Sequence, residues 1–199
     1  MKTKILSVIT ILVVVLGFTK PTLAATANHD AYTVLNDINN INKIEVHGNV
    51  ELFVSDANTD QVKVYNKYYS ESALVQSKNG VLSIASYSTE KLVVWVSAAD
   101  LRAISAYDNA EIRTFGKLSK IEFDVDLHDS ALANLNLNAF DANLTVKDNA
   151  KANLTGTADQ LTLNSDIENG VNRKNFTAAR YSENKSIFSA ELSSETIGM

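Results

Sequence analysis

Apolar residues fall at every second position from Ile44 to about Leu163. In "KIEVHGNVELFVS", Ile44 and Val46, then Val50, Leu52 and Val54, share one face, and "DQVKVYNKYY" repeats the pattern with Val62 and Val64. "NGVLSIASYS" opens on an Asn-Gly turn, and "KLVVWVS" is apolar almost throughout. A period of two predicts β-strands, and no segment beyond the first two dozen residues carries the 3.6-residue period of an amphipathic helix. The expected class is therefore all-β.

From Leu101 onward the pattern repeats itself. Asp108, Asp129 and Asp148, 21 and 19 residues apart, head the triplets "DNA", "DSA" and "DNA". A degenerate fourth copy lies near "LTLNSDIENG", with Ser165 or Asp166 in the turn place. An apolar strand precedes each turn, and small or apolar residues alternate with polar ones after it. Strand-and-turn repeats of about 20 residues describe a coil whose successive turns stack about 4.8 Å apart. The triplet is then a corner rebuilt on every coil, by the residue pairs Asp108–Asn109, Asp129–Ser130 and Asp148–Asn149. Asp and Asn suit it because they bond nearby backbone and tolerate left-handed dihedrals. Asn109 and Asn149 are expected to take those dihedrals, Ser130 less comfortably. Ala110, Ala131 and Ala150 fit a lumen too narrow for Leu at the corner. The expected fold is a single-domain right-handed parallel β-helix or β-solenoid. An antiparallel β-sandwich is the alternative, because turns every 8 to 12 residues also suit it.

The ends set the compartment. Lys2 and Lys4 precede the apolar run Ile5 to Phe18, and Pro21 and "TLAATA" follow, the pattern of a signal peptide cleaved after Ala24. The expected organisation is 1–24 signal, 25–40 lead-in, 41–170 solenoid domain and 171–199 cap or tail. Loss of Lys2, Lys4 and Lys20 leaves 15 basic against 23 acidic residues, a net charge of −8. That balance disfavours nucleic acid and anionic headgroups, and no second long apolar run predicts membrane insertion after cleavage. With no Cys in the chain, the core must hold the fold without disulfides.

The order "INKIEVHGNVELFVS", "VLSIAS", "LRAISAYDNAEI" and its echoes, from about Ile41 to about Gly170, resembles the head domain of autotransporter adhesins, the GIN domain. Gly48 matches the family's opening motif, whereas its Gly-Ser-Gly corners read "DNA", "DSA" and "DNA" here. The resemblance implies an exported, non-catalytic binding module of a Gram-negative bacterium, periplasmic or on the surface, recognising a glycan or a protein surface. A structural envelope component without a soluble ligand is the alternative, and a β-helical polysaccharide-degrading enzyme a third reading.

Candidate chemistry is thin. Stacked carboxylates about 5 Å apart repel by roughly 1 kcal/mol per pair in water, and by about 3 at an effective dielectric of about 20. Turn amides, Lys147 or Lys151, or a bound calcium would have to offset this, and corner-capping without any cofactor is the simplest solution. The best acid–base cluster is "DVDLHD", with Asp124, Asp126, His128 and Asp129, equally legible as the solvent face of a strand. His29, His47 and His128 share no metal-ligand spacing in sequence. Tyr68 and Tyr69, adjacent in a polar stretch, and Tyr87 are the expected contact residues. Tyr65 and Trp95 are expected to cover the outside of the coil.

Overall fold

The computed structural model describes residues 32–65, 73–166 and 170–185. The predicted signal segment, His29, Tyr68 and Tyr69 therefore lie outside the described residues. The rest is all-β, without a helix among the described residues. The strands are β1 (Thr33–Leu35), β2 (Lys43–Gly48), β3 (Val50–Asp56), β4 (Gln61–Val64), β5 (Ala73–Lys78), β6 (Val81–Ser86) and β7 (Leu92–Ala98). They continue with β8 (Ala103–Ala106), β9 (Glu111–Thr114), β10 (Leu118–Leu127), β11 (Leu132–Val146), β12 (Lys151–Ser165) and β13 (Val171–Lys185).

Pairing between coils is parallel and nearly free of slippage. Asp124 of β10 faces Asn143 of β11, which faces Thr162 of β12, which faces Ser182 of β13. The long strands β11, β12 and β13 each run through two arms. Side chains alternate in and out along each arm, and the alternation breaks at Phe140 and Asp141 and again at the Asp corner. One arm continues the sheet through β9, β3, β7, β4 and β1, the other through β10, β8, β2, β6 and β5. Antiparallel pairing is confined to β1–β4, β4–β7 and β5–β6, so the sandwich alternative is not the arrangement adopted.

Chain order and stacking order differ at the first coil. β2 and β3 lie between β6 and β7 on one side and β8 and β9 on the other. Gly48 consequently sits one coil below Asp108, although 60 residues separate them.

The lumen is filled by columns of like residues: Ile44, Leu82, Ile104, Val125, Leu144 and Leu163 in one, with Ala110, Ala131 and Ala150 at the corner, all buried. Burying such side chains is worth about 1.5–3 kcal/mol each for Val, Leu and Ile. The last coil departs from this. Opposite Leu161, Leu163 and Ser165, β13 places Tyr181, Glu183 and Lys185. The Tyr181 hydroxyl donates to Glu183 (2.6 Å), Lys185 pairs with Glu183 (3.5 Å), and the Arg173 guanidinium lies 4.0 Å from the Tyr181 ring centre. This polar set ends the stack, since inward-pointing charges oppose the addition of another strand.

Gly156 shows how tightly the coils are apposed. Its φ is +106°, and a Cβ there would stand 2.0 Å from the Leu137 carbonyl oxygen of the coil below. Gly156→Ala must either move that backbone or break the β11–β12 ladder. It is expected to cost more than about 2 kcal/mol, measured as a shift in the denaturation midpoint at unchanged m-value.

Candidate functional site

Two features on the outside of the stack bear on function: the Asp corner and one outer face. At the corner, φ is +59° at Asp108, +58° at Asp129 and +57° at Asp148, while Gly48, in the same column, has +79°. The expectation that Asn109 and Asn149 would be left-handed is therefore corrected: the aspartates are. Each turn is closed by an i to i+3 bond, Ala110 N–H to the Tyr107 carbonyl (3.2 Å), Ala131 to His128 (3.0 Å) and Ala150 to Lys147 (3.1 Å). Positive φ at the first central residue alone is the pattern of a type II′ turn, where Gly, Asn and Asp are favoured.

The carboxylates explain why Asp and not Asn heads the turn. The Gly48 amide donates to Asp108 Oδ2 (3.0 Å), the Asp108 amide to Asp129 Oδ2 (3.0 Å), and the Asp129 amide to Asp148 Oδ2 (3.1 Å). The Asp148 amide makes a longer bond to Asp166 Oδ2 (3.4 Å). Each carboxylate thus satisfies the turn amide of the neighbouring coil. A hydrogen bond to a charged group contributes about 1.5–3 kcal/mol. Asp129 and Asp148 are exposed, so their mutual repulsion stays near the water limit of about 1 kcal/mol per pair and the hydrogen bonds prevail. No group of three or more metal-ligating side chains occurs among the described residues.

Beside this row runs a column that the sequence spacing hides. The His47 ring stacks on Tyr107 (4.5 Å, 3°), and Tyr107 stacks on His128 (4.9 Å, 13°). Two histidines thus share one column, with a tyrosine between them. Asp124 and Asp126 lie on the same outer face of β10 as His128, and Asp124 Oδ1 accepts a bond from Asn143 Nδ2 (2.9 Å). Tyr87, three-quarters exposed, stands at the corner with its hydroxyl 3.5 Å from Asp108 Oδ2, the outer limit of a hydrogen bond.

The outer face of the other arm carries most of the aromatic surface. Trp95 lies 4.7 Å from Phe53 in a stacked pair, 5.1 Å from Phe115 and 6.4 Å from Tyr65, and Tyr65 lies 5.1 Å from Tyr32. Lys63 Nζ sits 5.7 Å from the centre of the Tyr32 ring, within cation–π range. Tyr32 and Phe115 are exposed, while Trp95, Phe53 and Tyr65 are half-buried. Cross-strand register aligns Lys63, Trp95, Phe53 and Arg113 in one row, continued by Asn134, Asn153 and Asn172. Neither Phe53 nor Phe115 stands out in sequence as a contact residue, because their approach to Trp95 depends on the coil order.

Charges beside the row are paired. Arg113 Nε reaches Glu51 (2.8 Å), Arg113 Nη2 reaches Glu111 (3.2 Å), and Lys91 binds Glu111 (2.6 Å). The Lys91 hydrogen bond, aided by Arg113, holds the Glu111 carboxyl below its ordinary range against partial burial, which pushes it up.

The family model described as "Putative auto-transporter adhesin, head GIN domain" matches residues 40–186. No curated protein sequence matches the chain. Among solved structures, a putative adhesin from Bacteroides fragilis is similar at TM-score 0.66 and 14% identity, over 77% of this chain and 74% of that one. A putative adhesin from Parabacteroides distasonis follows at TM-score 0.61 and 16% identity, over 77% and 76%. A third, titled a putative lipid binding protein, from the same species, is similar at 0.59 and 10%, over 78% of each chain. At these identities the likeness is one of fold.

Two outcomes follow from the corner and the ion-pair cluster. Among replacements of Asp129, Asn should cost least stability, Gly more and Ala most, the last about 1–3 kcal/mol, because Ala loses the acceptor and keeps the backbone strain. Melting curves should keep this order and be indifferent to calcium or chelator. For Glu111, a carboxyl lowered on folding contributes stability that is present above about pH 4.3 and is lost as pH falls through its folded value. Lys91→Met should therefore shift the acid-unfolding midpoint upward, while Lys117→Met should leave it in place.

Proposed function

We propose that this chain, which belongs to the auto-transporter adhesin head GIN-domain family, is an exported, non-catalytic binding module that recognises a glycan or protein surface through its outer aromatic face. The observation that carries the reading is the cluster of Trp95, Phe53, Phe115, Tyr65 and Tyr32 on one face of a rigid sheet. A soluble protein usually sinks such rings into its core. Here the lumen is filled by aliphatic residues with Phe123 and Phe176, and these five rings are left outside. Tyr and Trp present flat apolar surface with a polar edge at low entropic cost, the composition of contact sites.

Export fits the basic and apolar start of the chain, and the adhesin-titled neighbours support a surface role. Catalysis is disfavoured because Asp124 is engaged by Asn143 and Asp124 and Asp126 lie along the outer face of a strand. The binding reading requires no cofactor. Tyr68 and Tyr69 follow Tyr65 closely in sequence and remain proposed contacts on that ground.

The reading is tested by presenting the mature chain, Ala25 to Met199, with arrayed glycans and matrix proteins, beside Trp95→Ala and Tyr87→Ala, which separate the aromatic face from the corner. Saturable binding weakened about tenfold or more by Trp95→Ala is the expected result. Binding lost equally in Tyr87→Ala would move the site to the corner. A blank from folded protein would favour a structural envelope role.

A further inference from the structure

The row through Trp95 does not end with the aromatics. One residue per strand, it runs Lys63, Trp95, Phe53, Arg113, Asn134, Asn153, Asn172, about 29 Å at about 4.8 Å per strand. Its second half is an amide ladder: Asn153 Nδ2 donates to Asn134 Oδ1 (2.9 Å) and Asn172 Nδ2 to Asn153 Oδ1 (3.2 Å). An amide side chain has two N–H donors and two acceptor lone pairs. The ladder uses one of each on Asn153, so one donor and one acceptor remain, held at strand spacing.

We propose that this row is a track for an extended, uncharged polysaccharide lying across the strands, with sugar faces on Trp95 and Phe53 and hydroxyls on Arg113 and the asparagines. The inference rests on the binding-module reading and names its ligand class. Three observations select that class. The rings offer the flat apolar surface on which a sugar's C–H face stacks. The amides offer paired donors and acceptors, the complement of a hydroxyl-rich chain and of little use to an apolar protein surface. Arg113, the cation in the middle of the row, is matched by Glu51 and Glu111, and Glu111 by Lys91, while Lys63 at the end of the row lies over the Tyr32 ring. An acidic polymer would have to compete with those carboxylates for the same cations, whereas a neutral one would not.

The test uses purified protein against soluble neutral glucans, mannans and galactans, an acidic polygalacturonate, and matrix proteins, by affinity electrophoresis and calorimetry. Four proteins are compared: wild type, Trp95→Ala, the double variant Asn134→Ser/Asn153→Ser, and Asn143→Ser, which removes a side-chain hydrogen bond to Asp124 on the opposite arm. Melting temperatures are followed throughout. Expected is saturable binding to a neutral polysaccharide, weakened about tenfold or more by Trp95→Ala and by the double variant, with Asn143→Ser binding as wild type. Equal weakening by Asn143→Ser would overturn the track, because the ladders would then act through the fold. Preference for polygalacturonate would overturn the neutral class. Trp95-dependent binding to a matrix protein with no polysaccharide binding would overturn the track and leave the binding-module reading standing. A blank on all three ligand groups would overturn both.

Discussion

Everything in this molecule depends on each coil turning at the same place as the one beneath it. A strand pairing that slips by one residue sends every inward side chain outward, and here a slip in one coil would be imposed on the next. The aspartate corner prevents this. Its backbone demands a residue that tolerates positive φ, and its carboxylate reaches a single amide in the adjacent coil, so the turn both reverses the chain and reads the position of its neighbour. Glycine would satisfy the first demand alone, and Gly48 does so in the coil where the carboxylate comes from Asp108 above. The resembling family writes this corner with glycine; this chain writes it with a residue that also records register.

Register held this firmly turns sequence into rows. In the later coils residues about 19 to 21 apart become neighbours at one strand spacing, so a single type repeated at that interval becomes a ladder, as with the asparagines, while the interleaved first coils bring residues from farther apart into a mixed row, as with Trp95, Phe53 and Arg113. Narrow lumen positions take Ala, wider ones Leu and Val, and the rings buried inside among the described residues are Phe123 and Phe176. Trp95, Phe53, Phe115, Tyr65 and Tyr32 stand on the outside instead.

Much of this was legible beforehand. Alternation gives the strands, the Asp spacing of 21 and 19 gives the coil, and Asn79-Gly80 gives the β5–β6 hairpin, both of its central residues having positive φ. Left-handed propensity alone pointed to Asn109 and Asn149, because it ranks residues by their own backbone and takes no account of an amide one coil away. The stacking of His47 on Tyr107 and of Phe53 on Trp95 was illegible for a different reason. The coil order is not the chain order there, and no local pattern announces that β8 returns to lie on β2. Histidines that seem unrelated in sequence thus share a column, and an aromatic face assembles from β3, β7 and the residues flanking β1, β4 and β9.

That same interleaving has a consequence for how the chain comes into being. The coil made of β2 and β3 is written first, yet both of its neighbours are written later, β6 and β7 below it and β8 and β9 above it. This coil has two bare edges until β6 and β7 have emerged and one until β8 and β9 have, and these pairing partners are separated from it by long loops whose closure is entropically costly. Covering of this coil on both sides therefore waits until Thr114 has been made.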